Sequence, residues 1–265
     1  MAKFGFIGAG NMGSALAAAA AESVGGENIL ISNRTPEKAL SLAERLGAKA
    51  STNADIAYCA DYIILGVKPQ MMESVITGIA PVLRERKTSF TLVSMAAGLT
   101  IDTLRTIFGA DYPFIRVMPN TPCSVGEGVM LWTSDGVDDA SLSAFLDAFR
   151  CAGDLVELPE RLFDAGSALS GCGPAYSFMF IEALADGAVA CGIPRKTAYE
   201  LACATLKGSA ALMQTSGKHP GELKDAVCSP GGSTIEAVRT LEEGAFRASV
   251  MDAVIAARDK NRELR

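Results

Sequence analysis

Two short segments of the chain place glycines beside helix-starting residues in a way that could bind anions. The first is Gly8-Ala9-Gly10-Asn11-Met12-Gly13, which follows a strand-like run, Lys3–Gly8, and opens an alanine-rich helical pattern, Asn11–Ser23. In this context the first glycine permits a tight turn, the second lets the backbone approach a pyrophosphate, and the third lets the helix pack on the strand. The segment therefore predicts a dinucleotide site; the alternative is a glycine-rich turn with no ligand.

The end of the next predicted strand, Asn28–Ser32, indicates which dinucleotide is bound. An NAD-dependent enzyme usually carries Asp or Glu there to bind the ribose 2′-hydroxyl. This chain instead reads Asn33-Arg34-Thr35. Arg34 can pair with a 2′-phosphate, and Asn33 and Thr35 can donate hydrogen bonds to it. The pattern favours NADPH and leaves the acceptance of NADH open; the alternative is that Arg34 is only a surface charge.

Three later segments follow predicted strands and belong to the same candidate site. They are Val67-Lys68-Pro69, Met95-Ala96-Ala97-Gly98 and Met118-Pro119-Asn120-Thr121-Pro122. Ligands in open α/β sheets bind outside the carboxyl ends of the strands. We therefore expect Lys68 and Asn120 near the cofactor, and Ala97 where a nicotinamide ring approaches. A solvated lysine and a plain proline turn are the alternatives.

The second anion-binding segment is Ser229-Pro230-Gly231-Gly232-Ser233-Thr234. Pro-Gly-Gly cannot continue a helix, whereas Ser-Thr can begin one. A helix start leaves amide donors free, and these can hold a small carboxylate with the help of neighbouring hydroxyls. The alternative is a plain turn between two helices.

The elements that must position these residues change character along the chain. Near-continuous apolar strand patterns alternate with helical ones up to Leu158-Pro159, which predicts a mostly parallel sheet covered on both faces. Helical patterns alone follow. The fold class is thus an α/β Rossmann domain, doubly wound, over 1–159, and an all-α domain over 160–265. The further predicted strands are Tyr62–Val67, Ser89–Ser94, Pro113–Met118 and Gly128–Trp132.

The helical domain contains a segment, from Ala175 to Cys191, that is apolar nearly all round. Glu182 and Asp186 within it, and its length, argue against a membrane span. Such a helix must be covered on every side. A domain of this size has few elements of its own for that purpose, so we expect an obligate dimer.

Composition excludes several other classes of protein. The formal net charge of −6 over 265 residues argues against a nucleic-acid binder. The seven cysteines form no Cys-x-x-Cys pair, which predicts small buried thiols in a reducing compartment and no metal site. The N-terminus enters a strand pattern at once, so we expect a cytoplasmic protein without a leader. A hydrolase would need the single histidine, His219, but no Gly-x-Ser-x-Gly accompanies it, so a loop or capping role is expected.

Taken together, these segments resemble the pyrroline-5-carboxylate reductase family over essentially the full length of the chain. The segment Ser229–Thr234 matches the diagnostic motif of that family. The matching pieces, in the order of the family, are Gly8–Gly13, Val67-Lys68-Pro69, Ala96-Ala97-Gly98, Arg116–Pro122, Ser170–Tyr176 and Ser229–Thr234.

The resemblance implies that NADPH reduces a five-membered cyclic imine to proline. It implies that Ser229, Gly232 and the amides of Ser233 and Thr234 bind the substrate carboxylate, and that Thr234 Oγ hydrogen-bonds the ring nitrogen as the catalytic contact. Glu160 matches a family position that approaches the substrate.

The resemblance also implies that Asn53 approaches the adenine side of NADPH. The helical domain is expected to interlock with its partner in a homodimer, and such dimers assemble into larger rings in related enzymes. Three other readings remain open: a β-hydroxyacid dehydrogenase or general imine reductase, a catalytically silent NADPH sensor, and a structural dimerisation protein. The first would need a different loop in place of Ser229–Thr234, and the cofactor loop Gly8–Gly13 argues against the last.

Overall fold

The computed structural model describes residues 1–263, which group into two compact units. The first unit runs from Met1 to Cys172 and includes the end of the last helix from Ala257. The second unit runs from Gly173 to Ala256. The two compact units divide after Cys172, thirteen residues beyond the predicted domain boundary between residues 159 and 160. That domain boundary stays a prediction.

The first unit is built on an eight-stranded sheet in the order β3-β2-β1-β4-β5-β6-β7-β8. Neighbouring strands are parallel except β6 and β7, which are antiparallel. The strand order reverses at β1, which lies between β2 and β4, and ligands bind at such a switch point in open sheets. The strands are β1 Phe4–Ile7, β2 Ile29–Ser32, β3 Lys49–Ala50, β4 Tyr62–Leu65, β5 Thr91–Ser94, β6 Phe114–Pro119, β7 Gly128–Asp135 and β8 Gly153–Glu157.

Helices cover both faces of this sheet, as the apolar strand patterns predicted. Successive residues of a strand point to opposite faces. Accordingly, Phe4 and Phe6 pack into one buried core and Ile7 into a second. The helices of this unit are α1 Asn11–Val24, α2 Pro36–Leu46, α3 Asn53–Cys59, α4 Pro69–Glu85, α5 Ile101–Phe108, α6 Asp139–Ala148 and α7 Phe163–Gly166. Short 3-10 turns cover Gly26–Asn28, Thr121–Val125, Arg150–Ala152 and Glu160–Leu162, and a π-turn covers Ser167–Gly171.

The second unit is helical, as predicted from the loss of strand patterns. Its helices are α8 Gly173–Ala190, α9 Arg195–Ser216, α10 Pro220–Val227, α11 Ser233–Glu243 and α12 Phe246–Glu263, the last of which ends in the first unit. Although α8 is strongly apolar, Ala185 is its one buried residue. Phe178 and Met179 are 64% and 70% exposed. Exposed apolar surface of the kind seen on α8 marks an interaction site. The fold class inferred from the sequence, an α/β unit followed by a helical one, is confirmed.

Two expectations need correction. The strands β3, Lys49–Ala50, and β8, Gly153–Glu157, were not predicted. β3 has only two residues, and β8 mixes charged and apolar residues irregularly at a largely exposed edge of the sheet. The cysteines are free but not uniformly buried: Cys123 is buried, whereas Cys59, Cys191 and Cys203 are exposed. Among residues 1–263, no helix is both long enough and apolar enough to cross a membrane.

Candidate functional site

The three glycines of the loop between β1 and α1 differ in the space that a side chain would find at each position. Gly8 has φ +113, and a Cβ there would lie 2.5 Å from the carbonyl oxygen of Gly66. A Cβ on Gly13 would lie 2.2 Å from the carbonyl oxygen of Gly8. A Cβ on Gly10 would meet no atom within 4 Å. The fold itself therefore requires Gly8 and Gly13, whereas the exposed Gly10 leaves room for a ligand to approach the backbone.

The start of α1 is suited to hold that ligand if it is an anion. No side chain caps this helix, and its first turn carries no acidic residue. Its first N–H groups therefore keep their hydrogen-bonding capacity, and the helix dipole adds partial positive charge. Asn11 is exposed and Met12 half-buried at this end. A groove of about 770 Å³ begins here and continues along α2; it is lined by Ala9, Gly10, Asn11, Ser14, Ala15, Ala18, Glu37, Lys38, Ser41, Leu42, Arg45 and Ser124.

The end of β2 is bonded directly to this loop. Asn33 Oδ1 accepts a hydrogen bond from the Ala9 N–H at 3.1 Å, and Asn33 Nδ2 donates to the Thr35 carbonyl at 3.1 Å. The side chain thus braces the loop, and its predicted hydrogen bond to a 2′-phosphate stays a prediction. Arg34 and Thr35 are exposed beside it.

Asn53 is held close to the same strand end. The Ser32 hydroxyl donates to Asn53 Oδ1 at 2.6 Å, which joins β2 to the first residue of α3. β1 and β2 are aligned so that Ile7 pairs with Ser32. The structure therefore brings Asn53, Asn33 and the glycine loop to one edge of the sheet.

The segment after β4 reaches this edge as well. The Gly66 N–H donates to the Ile7 carbonyl at 2.9 Å, which places Val67 next to the glycine loop. Lys68 is exposed at the position preceding α4, and Pro69 is the first residue of that helix. Ala97, after β5, is exposed, and Gly98 beside it is half-buried. All of these predicted cofactor residues lie at carboxyl ends of parallel strands, as expected.

Asn120, after β6, is buried and fully engaged with the protein. Its Oδ1 accepts from the Val129 N–H at 2.9 Å, and its Nδ2 donates to the Ser170 carbonyl at 3.0 Å. The side-chain amide therefore fixes the Met118–Pro122 segment against the π-turn. Its predicted contact with the cofactor stays a prediction.

Glu160 lies in the 3-10 turn that follows β8. Its Oε1 accepts from Arg116 Nη1 on β6 and from the Ile101 N–H at the start of α5, both at 2.9 Å. Arg116 is 1% exposed and Glu160 is 27% exposed. Sequence reasoning missed Arg116 as a site residue, although a charge inside an otherwise apolar strand, Phe114–Met118, was a usable signal.

The second unit contains the other predicted site, at the start of α11. Gly231 has φ +69, and the Gly232 N–H donates to the Ser229 carbonyl at 3.0 Å. A Cβ on Gly232 would lie 2.3 Å from Ser229 Oγ, so the hydroxyl packs against the backbone at this position. α11 begins at Ser233 with no side-chain cap. As predicted, Ser233 and Thr234 begin a helix, and no side chain caps its first backbone amides.

His219 takes the capping role expected of it. It precedes α10, and its Nδ1 accepts a hydrogen bond from the Gly221 N–H at 3.1 Å. Among residues 1–263, no three His, Cys, Asp or Glu side chains are grouped so that they could hold a metal ion.

Comparison with known families gives two matches. Residues 160–264 match the family described as pyrroline-5-carboxylate reductase dimerisation. Residues 3–98 match the family described as NADP oxidoreductase, coenzyme F420-dependent. The second match covers the glycine loop and the end of β2, and the first covers the start of α11.

Individual relatives are similar over nearly the whole chain. The chain is 42% identical to a pyrroline-5-carboxylate reductase of Arabidopsis thaliana, covering 99% of this chain and 95% of the relative. It is 41% identical to that of Escherichia coli K12, with 99% and 98% covered. The crystal structure of the Plasmodium falciparum pyrroline carboxylate reductase with NADP bound has a TM-score of 0.88 and 35% identity, with 99% and 97% covered.

Proposed function

The chain belongs to the pyrroline-5-carboxylate reductase family, and from this we propose that it reduces the cyclic imine pyrroline-5-carboxylate to proline with NADPH. The observation that carries the proposal is the pair of uncapped helix starts, each preceded by a glycine-containing loop, at α1 and at α11. One suits the pyrophosphate of a dinucleotide, and the other suits the carboxylate of a small substrate.

The residues of the first unit fit a dinucleotide with a 2′-phosphate. Gly10 leaves its backbone open, and the start of α1 offers amides and a favourable dipole. Arg34 and Thr35 are exposed at the end of β2, where a cation and a hydroxyl can bind the phosphate. The solved relative from P. falciparum holds NADP, which supports the same cofactor here.

The chemistry requires little acid–base catalysis from the chain. When bound, NADPH would supply a hydride from C4 of its nicotinamide to the ring carbon of the imine, whose nitrogen is protonated. The residues of the chain must orient the imine and exclude water, and orientation alone can contribute up to about 7–11 kcal/mol. We assign carboxylate binding to Ser229, Gly232 and the amides of Ser233 and Thr234. Thr234 Oγ holds the ring nitrogen.

We also propose the assembly and location of the protein. Residues 1–159 form the cofactor domain and 160–265 the substrate-binding domain, which interlocks with that of a second copy; such dimers assemble into a ring. The exposed apolar side chains of α8 and the matched dimerisation family support the self-association. Seven free cysteines support a reducing compartment, the cytoplasm.

The experiment is an absorbance assay at 340 nm with purified protein, NADPH and pyrroline-5-carboxylate, with NADH in parallel. We expect loss of NADPH with proline as the product, and slower loss of NADH. Binding of NADPH without turnover would contradict the proposal and favour a sensor or a reductase of another imine.

A further inference from the structure

Arg116 is a buried charge in the middle of an apolar strand. It is 1% exposed on β6, and its guanidinium carbon lies 4.7 Å from the centre of the Phe163 ring. Its Nε has no hydrogen-bond partner among the described residues. A buried cation is costly unless it is paired, so Arg116 depends on the carboxylate of Glu160 at 2.9 Å.

The same carboxylate oxygen holds the start of α5. Glu160 Oε1 accepts from the Ile101 N–H at 2.9 Å, while the Thr100 hydroxyl accepts from the Thr103 N–H at 3.1 Å. A negative charge at a helix start is stabilised by the free amides and the helix dipole. Glu160 therefore joins two elements that are distant in sequence, β6 and α5.

These contacts bracket the short segment between β5 and α5. At its first end, Ser94 Oγ accepts from the Ala96 N–H at 3.3 Å; at its other end, Ile101 is bonded to Glu160. Ala97 and Gly98 between them line a small cavity together with Arg116. A shift of Glu160 would therefore displace the Ile101 amide at the end of this segment and leave the Arg116 guanidinium without its counter-ion.

We propose that Glu160 is a positioning residue, which fixes the Ala97-Gly98 segment through Arg116 and the Ile101 amide and does not contact the substrate. The inference rests on the proposed function, because it assigns this segment to the nicotinamide end of the cofactor. Misplacement of reacting groups by about 1 Å can lower turnover about a hundredfold. Loss of the two hydrogen bonds of Glu160 should therefore lower the rate of hydride transfer more than it lowers the affinity for the cofactor.

The test compares Glu160→Ala, Glu160→Gln and Glu160→Asp in the full chain. The amide oxygen of Gln can still accept from both donors, whereas Asp keeps the charge but has a shorter reach. We expect Glu160→Ala to lower kcat roughly ten- to hundredfold, with KM for NADPH changed less than about threefold. Glu160→Gln and Glu160→Asp should both fall between Glu160→Ala and the wild type. Gln keeps the hydrogen bonds without the charge that pairs with Arg116, whereas Asp keeps the charge with a shorter reach.

Two readouts separate positioning from a general loss of folded protein. The deuterium isotope effect with C4-deuterated NADPH should rise in Glu160→Ala, because hydride transfer becomes slower relative to the other steps. Hydrogen exchange of the apo protein, read on a peptide that contains Ile101, should accelerate at least about tenfold in Glu160→Ala and stay near wild type in Glu160→Gln.

The matched control is Asp135→Ala, which removes a carboxylate from Arg105 on the same helix; Asp135 Oδ2 lies 2.6 Å from Arg105 Nη1. It should leave kcat, the isotope effect and exchange at Ile101 unchanged. The proposal is wrong if Glu160→Gln has as little activity as Glu160→Ala while hydrogen exchange at Ile101 in Glu160→Gln stays at the wild-type rate. The carboxylate would then act by contacting the substrate. The proposal is also wrong if Glu160→Ala or Glu160→Asp keeps wild-type values throughout.

Failure of the proposed function is distinguishable from failure of this inference. If the wild type does not oxidise NADPH with the imine, the proposed function falls. The exchange experiment needs neither substrate nor cofactor. Unchanged exchange at Ile101 in Glu160→Ala would by itself show that Glu160 does not fix the start of α5.

Discussion

Asn33 Oδ1 accepts a hydrogen bond from the Ala9 N–H at 3.1 Å, across 24 residues of sequence. The bond couples the end of β2, where the sequence distinguishes the two dinucleotides, to the glycine loop, where both would place their pyrophosphate. Because Asn33 Nδ2 is bonded to the Thr35 carbonyl, the whole amide acts as a brace. The Asn33 amide therefore links the geometry of the glycine loop to the strand end that carries Arg34.

Asn33→Ala should weaken NADPH and NADH binding by a similar factor of about three to ten, the value of one ordinary hydrogen bond. Both cofactors use the loop that the amide braces, so neither is spared. Fluorescence titration of the two reduced cofactors measures the two dissociation constants. A loss confined to NADPH would instead make Asn33 a ligand of the 2′-phosphate.

Arg34→Ala should discriminate between the two cofactors. Arg34 is exposed at the end of β2, where its guanidinium can make charge-assisted hydrogen bonds to a 2′-phosphate. We expect the Kd for NADPH to rise about ten- to hundredfold and the Kd for NADH to change less than about twofold. Arg45→Ala, which removes a cation that lines the groove along α2, is the matched control and should leave the ratio unchanged. An unchanged ratio in Arg34→Ala would make Arg34 a surface charge only.

Gly10→Ala and Gly13→Ala should separate the need for a ligand from the need for a fold. A Cβ on Gly13 would lie 2.2 Å from a backbone oxygen, so we expect a loss of stability of about 1–3 kcal/mol in the apo protein. A Cβ on Gly10 meets no atom within 4 Å, so Tm should hold while NADPH affinity falls. Thermal melts with and without NADPH measure both effects. Undiminished NADPH binding by Gly10→Ala would show that the pyrophosphate does not approach there.

How far the sequence predicts this molecule differs between the backbone and the side chains. Strand β1 was predictable because Phe4, Phe6 and Ile7 form an apolar run next to a glycine loop, and α1 because an alanine-rich helical pattern follows that loop. Such signals are local, since they arise from steric preferences and burial within a few residues.

Side-chain pairing was not predictable in the same way. Arg116 and Glu160 are 44 residues apart, and Asn120 is 50 residues from its partner Ser170. A pattern indicates that Asn or Glu is suited to bind a ligand, but the same groups bond equally well to backbone. Asn33, Asn120 and Glu160 were each predicted as ligand contacts, and each is bonded within the protein.

Cys123 should be far less reactive than Cys59 toward a disulfide reagent such as Ellman's reagent. Burial raises the pKa of the Cys123 thiol, so less thiolate is present at any given pH, and the thiolate is the nucleophile. Cys59 is exposed on α3. Mass spectrometry of labelled peptides at pH 8 should find Cys59 modified within minutes and Cys123 modified only in denaturant. Equal labelling rates in the folded protein would contradict the burial of the segment that follows Asn120.

Thr234→Ala should lower turnover about a hundredfold while NADPH affinity stays within about twofold, because the imine would no longer be oriented for hydride transfer. The reason is that Thr234 lies in the first turn of α11, where its hydroxyl can hold the imine nitrogen, whereas the cofactor residues lie in the first unit. Thr234→Ser keeps the hydroxyl and is the matched control, expected within about fivefold of the wild type. If Thr234→Ala turned over at the wild-type rate, nitrogen binding would have to come from another group, and the carboxylate contacts of Ser229 and Ser233 would be the remaining role of this loop.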